Sequence, residues 1–351
     1  MRKPQPFPPA EEEDGPPSPR SNPFLLGQEA AESVLEDALA SGRLHHAWLL
    51  TGPEGIGKAT LAYRFARALF AGAARLELDP ARPVFRRVSK GSHADLLTLE
   101  LQVDPETGKP KGEIPVAAIR QVAPFLHLTA IEGGWRVVVV DGAEYMNRSA
   151  ANALLKVLEE PPARAILLLV CAAPGRLLPT IRSRCRTLRL QPLPDAAVDM
   201  LLARYAPELS PDERAGLARL AAGSVGRALL LADADGVRLS ALVDDVLDAA
   251  PRLPPAQIHR VAETVARAEK DGPAWSTFMT LLRAALSAAV RAVAAGQGDE
   301  RQRRMAAQRP LAEWEEVWHA LTRLQDETER LNNDKRVATA VGLDLLNGPD
   351  T

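Results

Sequence analysis

The chain has 351 residues, more than one hydrophobic core usually organises, so two or three domains are expected. Apolar residues make up 46%, charged residues 25% and aromatics only 4%; a formal net charge of −2 excludes a global pull toward nucleic acid or anionic lipid. Cys171 and Cys185 are too few for a disulfide framework or a four-thiolate zinc site, and no stretch reads as a signal peptide or an uncharged span, so a soluble cytoplasmic protein with no membrane contact is expected.

Residues 1–20 hold seven prolines and the acidic run Glu11-Glu12-Glu13-Asp14, a composition that cannot bury enough apolar surface to offset ordering entropy; a disordered tail is expected there. From residue 21 to 191, short apolar runs at 47–50, 96–101, 137–140, 165–171 and 187–190 alternate with helical patterns, which suits buried parallel strands joined by crossover helices. One helix opens after Gly57 and carries Leu61, Phe65, Ala68 and Leu69 on one face. Another starts near Ser149, carries Ala153, Leu154, Val157 and Leu158, and stops at Pro161-Pro162. Residues 192–238 lose the strand signal and read as a small helical lid, and residues 239–351 as longer helices of a separate bundle.

Directly after Trp48-Leu49-Leu50 comes Gly52-Pro53-Glu54-Gly55-Ile56-Gly57-Lys58, followed by a helix, which is the context a P-loop requires. Gly52, Gly55 and Gly57 let backbone N–H groups approach phosphate, a helix N-terminus faces the anion, and Lys58 neutralises phosphate oxygens. A structural turn is the plainer reading of isolated glycines, but strand, glycines, Lys and helix occur here together. Position 59 is nevertheless Ala, where Mg²⁺ needs a hydroxyl, and Thr60 lies one residue too far along. The apolar run ending in Asp141 reads as the strand whose carboxylate holds Mg²⁺, although a strand-end carboxylate is the plain alternative. An acid that orients water is expected next; the residue is Gly142, with Glu144 two further on.

Arginines crowd Leu178-Pro179-Thr180-Ile181-Arg182-Ser183-Arg184-Cys185-Arg186 just before the last strand. Arg176, Arg186 and Arg189 read as a solvated basic face, whereas Arg184 reads as a finger for a neighbour's phosphate, a role that accelerates transfer by roughly 10³ to 10⁵. Gly223-Ser224-Val225-Gly226-Arg227 reads either as a plain helix start or as one presenting Arg227 to phosphate.

His46-Ala47 ahead of the P-loop, the run from Ala151-Asn152-Ala153-Leu154-Leu155-Lys156 through Val157-Leu158-Glu159-Glu160-Pro161-Pro162, and Ser183-Arg184-Cys185 resemble the clamp-loader branch of the AAA+ family over about residues 22–350. The resemblance implies an α/β AAA+ P-loop fold with a parallel sheet, a helical lid and an all-α collar, with residues 332–337 in the collar's last-helix motif. It further implies a non-hydrolysing stator without polymerase chemistry, in a five-membered ring with delta and gamma/tau subunits, acting on a sliding clamp and primed DNA. Arg184 would reach a neighbouring ATP site with Arg182 beside it, while Gly52, Gly55, Gly57, Lys58, Asp141 and Arg227 match the positions of a degenerate cis ATP site, where ATP binding is possible but doubtful. The family often carries a four-cysteine zinc module between positions 70 and 95; this chain has no cysteine there, so no zinc is expected. Two alternatives remain: an active gamma/tau-like motor or related helicase-loading ATPase, in which Thr60 and Glu144 substitute, and a scaffold whose arginines bind DNA phosphate.

Overall fold

Five parallel strands form one sheet whose interior is apolar on both faces. The computed structural model of the chain describes residues 16–102, 112–131, 134–250, 252–269, 273–307 and 309–347. The elements of the first compact unit (residues 1–209 and 222–226) are α1 (Glu29–Ser41), β1 (Ala47–Thr51), α2 (Lys58–Ala71), α3 (Pro83–Ser89), β2 (Leu96–Leu99), α4 (Val116–Ile119), α5 (Val122–His127), β3 (Arg136–Asp141), α6 (Arg148–Glu159), β4 (Ala165–Cys171), α7 (Pro179–Arg182), β5 (Arg186–Arg189) and α8 (Asp195–Tyr205). The strand order is β2-β3-β4-β1-β5. All five expected strands form, with ends shifted by at most two residues.

Side chains alternate along each strand, so a continuous apolar run feeds both faces. Trp48, Leu50, Val137, Val139, Ile166, Leu168 and Val170 pack against α1 and α2. Ala47, Leu49, Val138, Val140, Leu167 and Leu169 pack against α5 and α6. Each such Leu, Ile or Val contributes about 1.5–3 kcal/mol relative to exposure. Helix α6 starts where Asn147 accepts a hydrogen bond from Ala150 N at 2.9 Å, and the chain leaves it at Pro161-Pro162.

The folded chain begins before the expected boundary at residue 20. Ser18 O accepts from Ser21 N and Asn22 N, both at 2.9 Å. Arg67, 1% exposed on α2, donates to Arg20 O at 3.0 Å and Asn22 O at 2.8 Å, and Arg64 donates to Pro23 O while pairing with Glu32 at 2.8 Å. A buried guanidinium needs such acceptors, and these carbonyls fix residues 20–23 against the helix. Residues 1–15 of the expected tail lie outside the described residues.

Burial pushes the Arg67 pKa down to about 9, and its guanidinium lies 4.2 Å from the Phe85 ring centroid. The cysteine-free stretch between Phe70 and Asp95 closes on this point: Leu78, Val84 and Phe85 pack on Phe70, and His93 stacks on the same ring at 3.9 Å. Replacing Arg67 with Ala strands two carbonyls and opens a cavity. We expect Arg67→Ala to lower unfolding free energy by about 2–4 kcal/mol in a urea titration, and to expose the bond after Arg20 to trypsin; an unchanged midpoint would refute this role for Arg67.

The second unit (residues 210–221 and 227–351) is helical, with α9 (Pro211–Ala221), α10 (Val225–Asp233, from its third residue onward), α11 (Gly236–Ala249), α12 (Pro255–Ala268), α13 (Ala274–Ala294), α14 (Glu300–Ala306), α15 (Leu311–Leu331) and α16 (Lys335–Asp344). Helix α13 is central, burying Trp275, Phe278, Met279, Leu282 and Leu286 between α11 and α15. It is long and apolar enough by composition to cross a membrane, but Arg283 in its middle donates to Thr322 of α15 at 3.1 Å, as suits a helix inside a bundle. Asn332 ends α15 at a φ of 52°, and Asp334 caps α16 by accepting from Arg336 and Val337 N–H. The partition cuts the stretch read as a lid. Helix α8 stays with the sheet, whereas α9 joins the bundle by packing on α11, with Gly216 beside Val237.

Candidate functional site

Register brings the chemistry to one edge of the sheet. Thr51 pairs with Cys171, and Asp141 pairs with Val170, so β1, β3 and β4 end level. The P-loop leaves β1 at Gly52, and Asp141 closes β3 two strands away, a separation of roughly 10 Å at the usual strand spacing. Ligands of open α/β sheets bind at this carboxyl edge.

The P-loop has the backbone of a phosphate cradle. Gly52, Gly55 and Gly57 all have positive φ, at 142°, 72° and 98°. A side chain at Gly52 would meet Leu190 O at 2.7 Å, and one at Gly55 would meet Ser224 Oγ at 2.4 Å, so both positions require glycine. Gln28 braces the loop from behind by donating to Ile56 O at 3.2 Å and Gln191 O at 2.8 Å, and Gly226 N–H donates to Gly55 O at 3.0 Å. Lys58 is buried and donates to Pro53 O at 2.5 Å. Burial lowers its pKa, against the opposing pull of Glu144, Glu54 and Asp141.

The metal side of the site is different. Ala59 offers no oxygen and packs at the edge of the apolar cluster. Thr60 is buried about 100° further round α2. Gly142 follows Asp141 with φ of 78°, where a side chain would meet the Tyr145 ring at 2.7 Å, so this backbone is strained for any acid at the position. Glu144, in the turn that follows, lies at the end of β4, where its Oε1 accepts from Ala172 N at 2.7 Å. The arrangement fits an anion at Lys58 and the loop N–H groups; neither Ala59 nor Gly142 adds a ligand for Mg²⁺ beside Asp141.

Asp141 is itself perturbed. Burial first, then the negative charge of Glu100, push its pKa up to about 6 despite Lys58. The folded state therefore holds the proton more tightly than the unfolded chain, whose value is near 3.8. The resulting destabilisation is absent at low pH, grows as pH rises from about 4 to about 6, and is full above that. Asp141→Asn should raise unfolding free energy by about 1–3 kcal/mol at pH 8 and by less than about 0.5 kcal/mol at pH 4, read from urea titrations at the two pH values. An equal effect at both values would show that burial of the charge is not the cause.

Arg184 stands apart from this site, on the segment after α7. Its Nη1 donates to Thr180 O at 3.0 Å and its Nη2 meets Glu159 Oε1 at 2.9 Å, with about a third of the side chain exposed. Arg182 is exposed, and Arg186 lies 4.8 Å from the ring centroid of Trp48. Arg227 is the third residue of α10 and belongs to the second unit. Reading from sequence did not single out Gln28, Cys171 or Glu159. Glu159 lies within the run 151–162 and carried no assigned role; Gln28 and Cys171 had no local signal. Among the described residues, no group of three or more His, Cys, Asp or Glu could hold a metal ion.

A protein-family model described as "DNA polymerase III, delta subunit" matches residues 27–194. The chain is 41% identical over 185 residues to the DNA polymerase III subunit delta' of Pseudomonas aeruginosa, covering 51% of this chain and 53% of that one. It is 38% identical over 196 residues to the subunit delta' of Escherichia coli K12, with coverage of 56% and 57%. It is also 30% identical over 169 residues to the subunit gamma of Buchnera aphidicola from Acyrthosiphon pisum, with coverage of 48% and 44%. The aligned part thus spans about half the length of these curated relatives.

Proposed function

We propose that the chain, whose residues 27–194 match the family model and whose similar relatives include DNA polymerase III delta' subunits, is the stator of a bacterial clamp loader. In this reading it joins delta and gamma/tau subunits in a five-membered ring, helps place a sliding clamp on primed DNA, and lends Arg184 to a neighbour's ATP. The observation that carries the reading is Gly142. Its left-handed backbone keeps the water-orienting acid out of a site that also lacks a metal hydroxyl at Ala59. The rival motor reading needs Glu144 for that water, but Glu144 Oε1 already accepts from the Ala172 N–H just past β4.

The residues divide the work as follows. Lys58 and the loop N–H groups of 52–58 would hold nucleotide phosphates in cis, and ATP bound there would supply a γ-phosphate with no partner groups to cleave it. Arg184 presents a planar, permanent charge whose fork matches phosphate oxygens, and it acts where a neighbouring site develops charge. Zinc has no place in this reading, and metal analysis of the purified chain is expected to find well under one equivalent; about one equivalent would contradict it.

In steady-state ATP turnover with primed DNA and clamp, the chain alone should be silent. The reconstituted loader carrying Arg184→Ala should lose the turnover of the adjacent motor site by about 10³-fold or more. Turnover by the lone chain would support the motor reading instead, and an Arg184→Ala loader as fast as wild type would remove Arg184 from catalysis.

A further inference from the structure

Arg184 is held rather than free. A guanidinium has five N–H donors in a rigid plane, and two of its nitrogens are anchored here from different directions. The Thr180 carbonyl, in the last turn of α7, takes Nη1 at 3.0 Å, and the carboxylate of Glu159, the last residue of α6, takes Nη2 at 2.9 Å. These two contacts fix the plane of the group on a segment whose neighbours Arg182 and Ser183 are exposed, while Arg186 stands over the Trp48 ring. Among the described residues, Nε has no acceptor, which leaves that edge for another. Helix α6 is a firm base for this: its buried face of Ala150, Ala151, Leu154, Val157 and Leu158 is packed on the sheet, and Asn147 caps its start. Glu159 itself contributes nothing to that core, since its side chain is half exposed.

Resting on the finger reading above, we infer that Glu159 is the positioning residue for Arg184. It orients the guanidinium so that its free edge meets a neighbour's phosphate with little rotamer entropy left to lose. A long, exposed arginine loses that entropy on engagement unless it is already held, and preorganisation of this kind raises rate rather than nucleotide affinity. The Thr180 carbonyl cannot do this alone, because one acceptor leaves the plane free to rotate about the bond it makes. As an exposed pair, Glu159 and Arg184 add little to folding stability, so the effect of removing Glu159 is separable from unfolding.

The test is a double-mutant cycle in the reconstituted loader, reading DNA-stimulated kcat and KM for ATP. Glu159→Ala is expected to lower the kcat of the adjacent site about five- to tenfold with KM within twofold, and Glu159→Gln, which keeps an acceptor oxygen, to recover most of it. The thermal midpoint of the Glu159→Ala chain should move by less than about 2–4 °C. In the Arg184→Ala background, Glu159→Ala should add less than twofold. If Arg184→Ala is slow but Glu159→Ala is as fast as wild type, or if Glu159→Ala slows the Arg184→Ala loader by its full factor, the positioning role is overturned while the finger stands. If Arg184→Ala itself is indifferent, the finger reading falls first and the inference with it.

Discussion

Strand β4 is the constraint on which the first unit depends. All seven of its residues are buried, and it is hydrogen-bonded along its length to β3 on one side and β1 on the other. A strand so placed has no polar option on either face, and a single-residue slip would exchange the residues serving the two helical layers. Its register also sets the site, because it spaces Asp141 from the P-loop and delivers the Ala172 N–H to Glu144 Oε1. The same interior that makes the sheet cohesive thus decides which carboxylates remain available for chemistry.

Much of this was legible in the residues. The five apolar runs, the helix after Gly57 and the stop at Pro161-Pro162 are local signals, and each formed where its pattern placed it. The long helices α13 and α15 likewise followed from spacing and punctuation. The start of the folded chain was not legible: a segment dense in proline and charge offers no apolar periodicity, and its ordering at residues 18–23 comes from two arginines of α2 about 45 positions away. Nor was the division of residues 192–238 between the two units, which depends on α9 meeting α11 rather than on any composition change.

At the site, residue type was readable and geometry was not. Ala59 and Gly142 announce missing groups from sequence alone. That Gly142 lies in a left-handed conformation against Tyr145, so that the missing acid is disfavoured by the backbone itself, is visible only in three dimensions. The pairing of Glu159 with Arg184 spans a whole βα unit in sequence and has no local signature. Burial of Asp141 beside Glu100 is equally non-local, and it turns an apparent metal ligand into a carboxyl that resists ionisation.

Strand β5 carries a different consequence. It forms one margin of the sheet, pairs among the described residues with β1 alone, and is four residues long, with Arg186, Thr187 and Arg189 exposed and Leu188 buried. An open sheet margin is a template for another chain's backbone, and short length with outward charge is how soluble proteins blunt it. The two arginines read from sequence as a solvated basic face therefore act as gatekeepers, giving a sheet with an interior this apolar a margin that resists edge-to-edge aggregation.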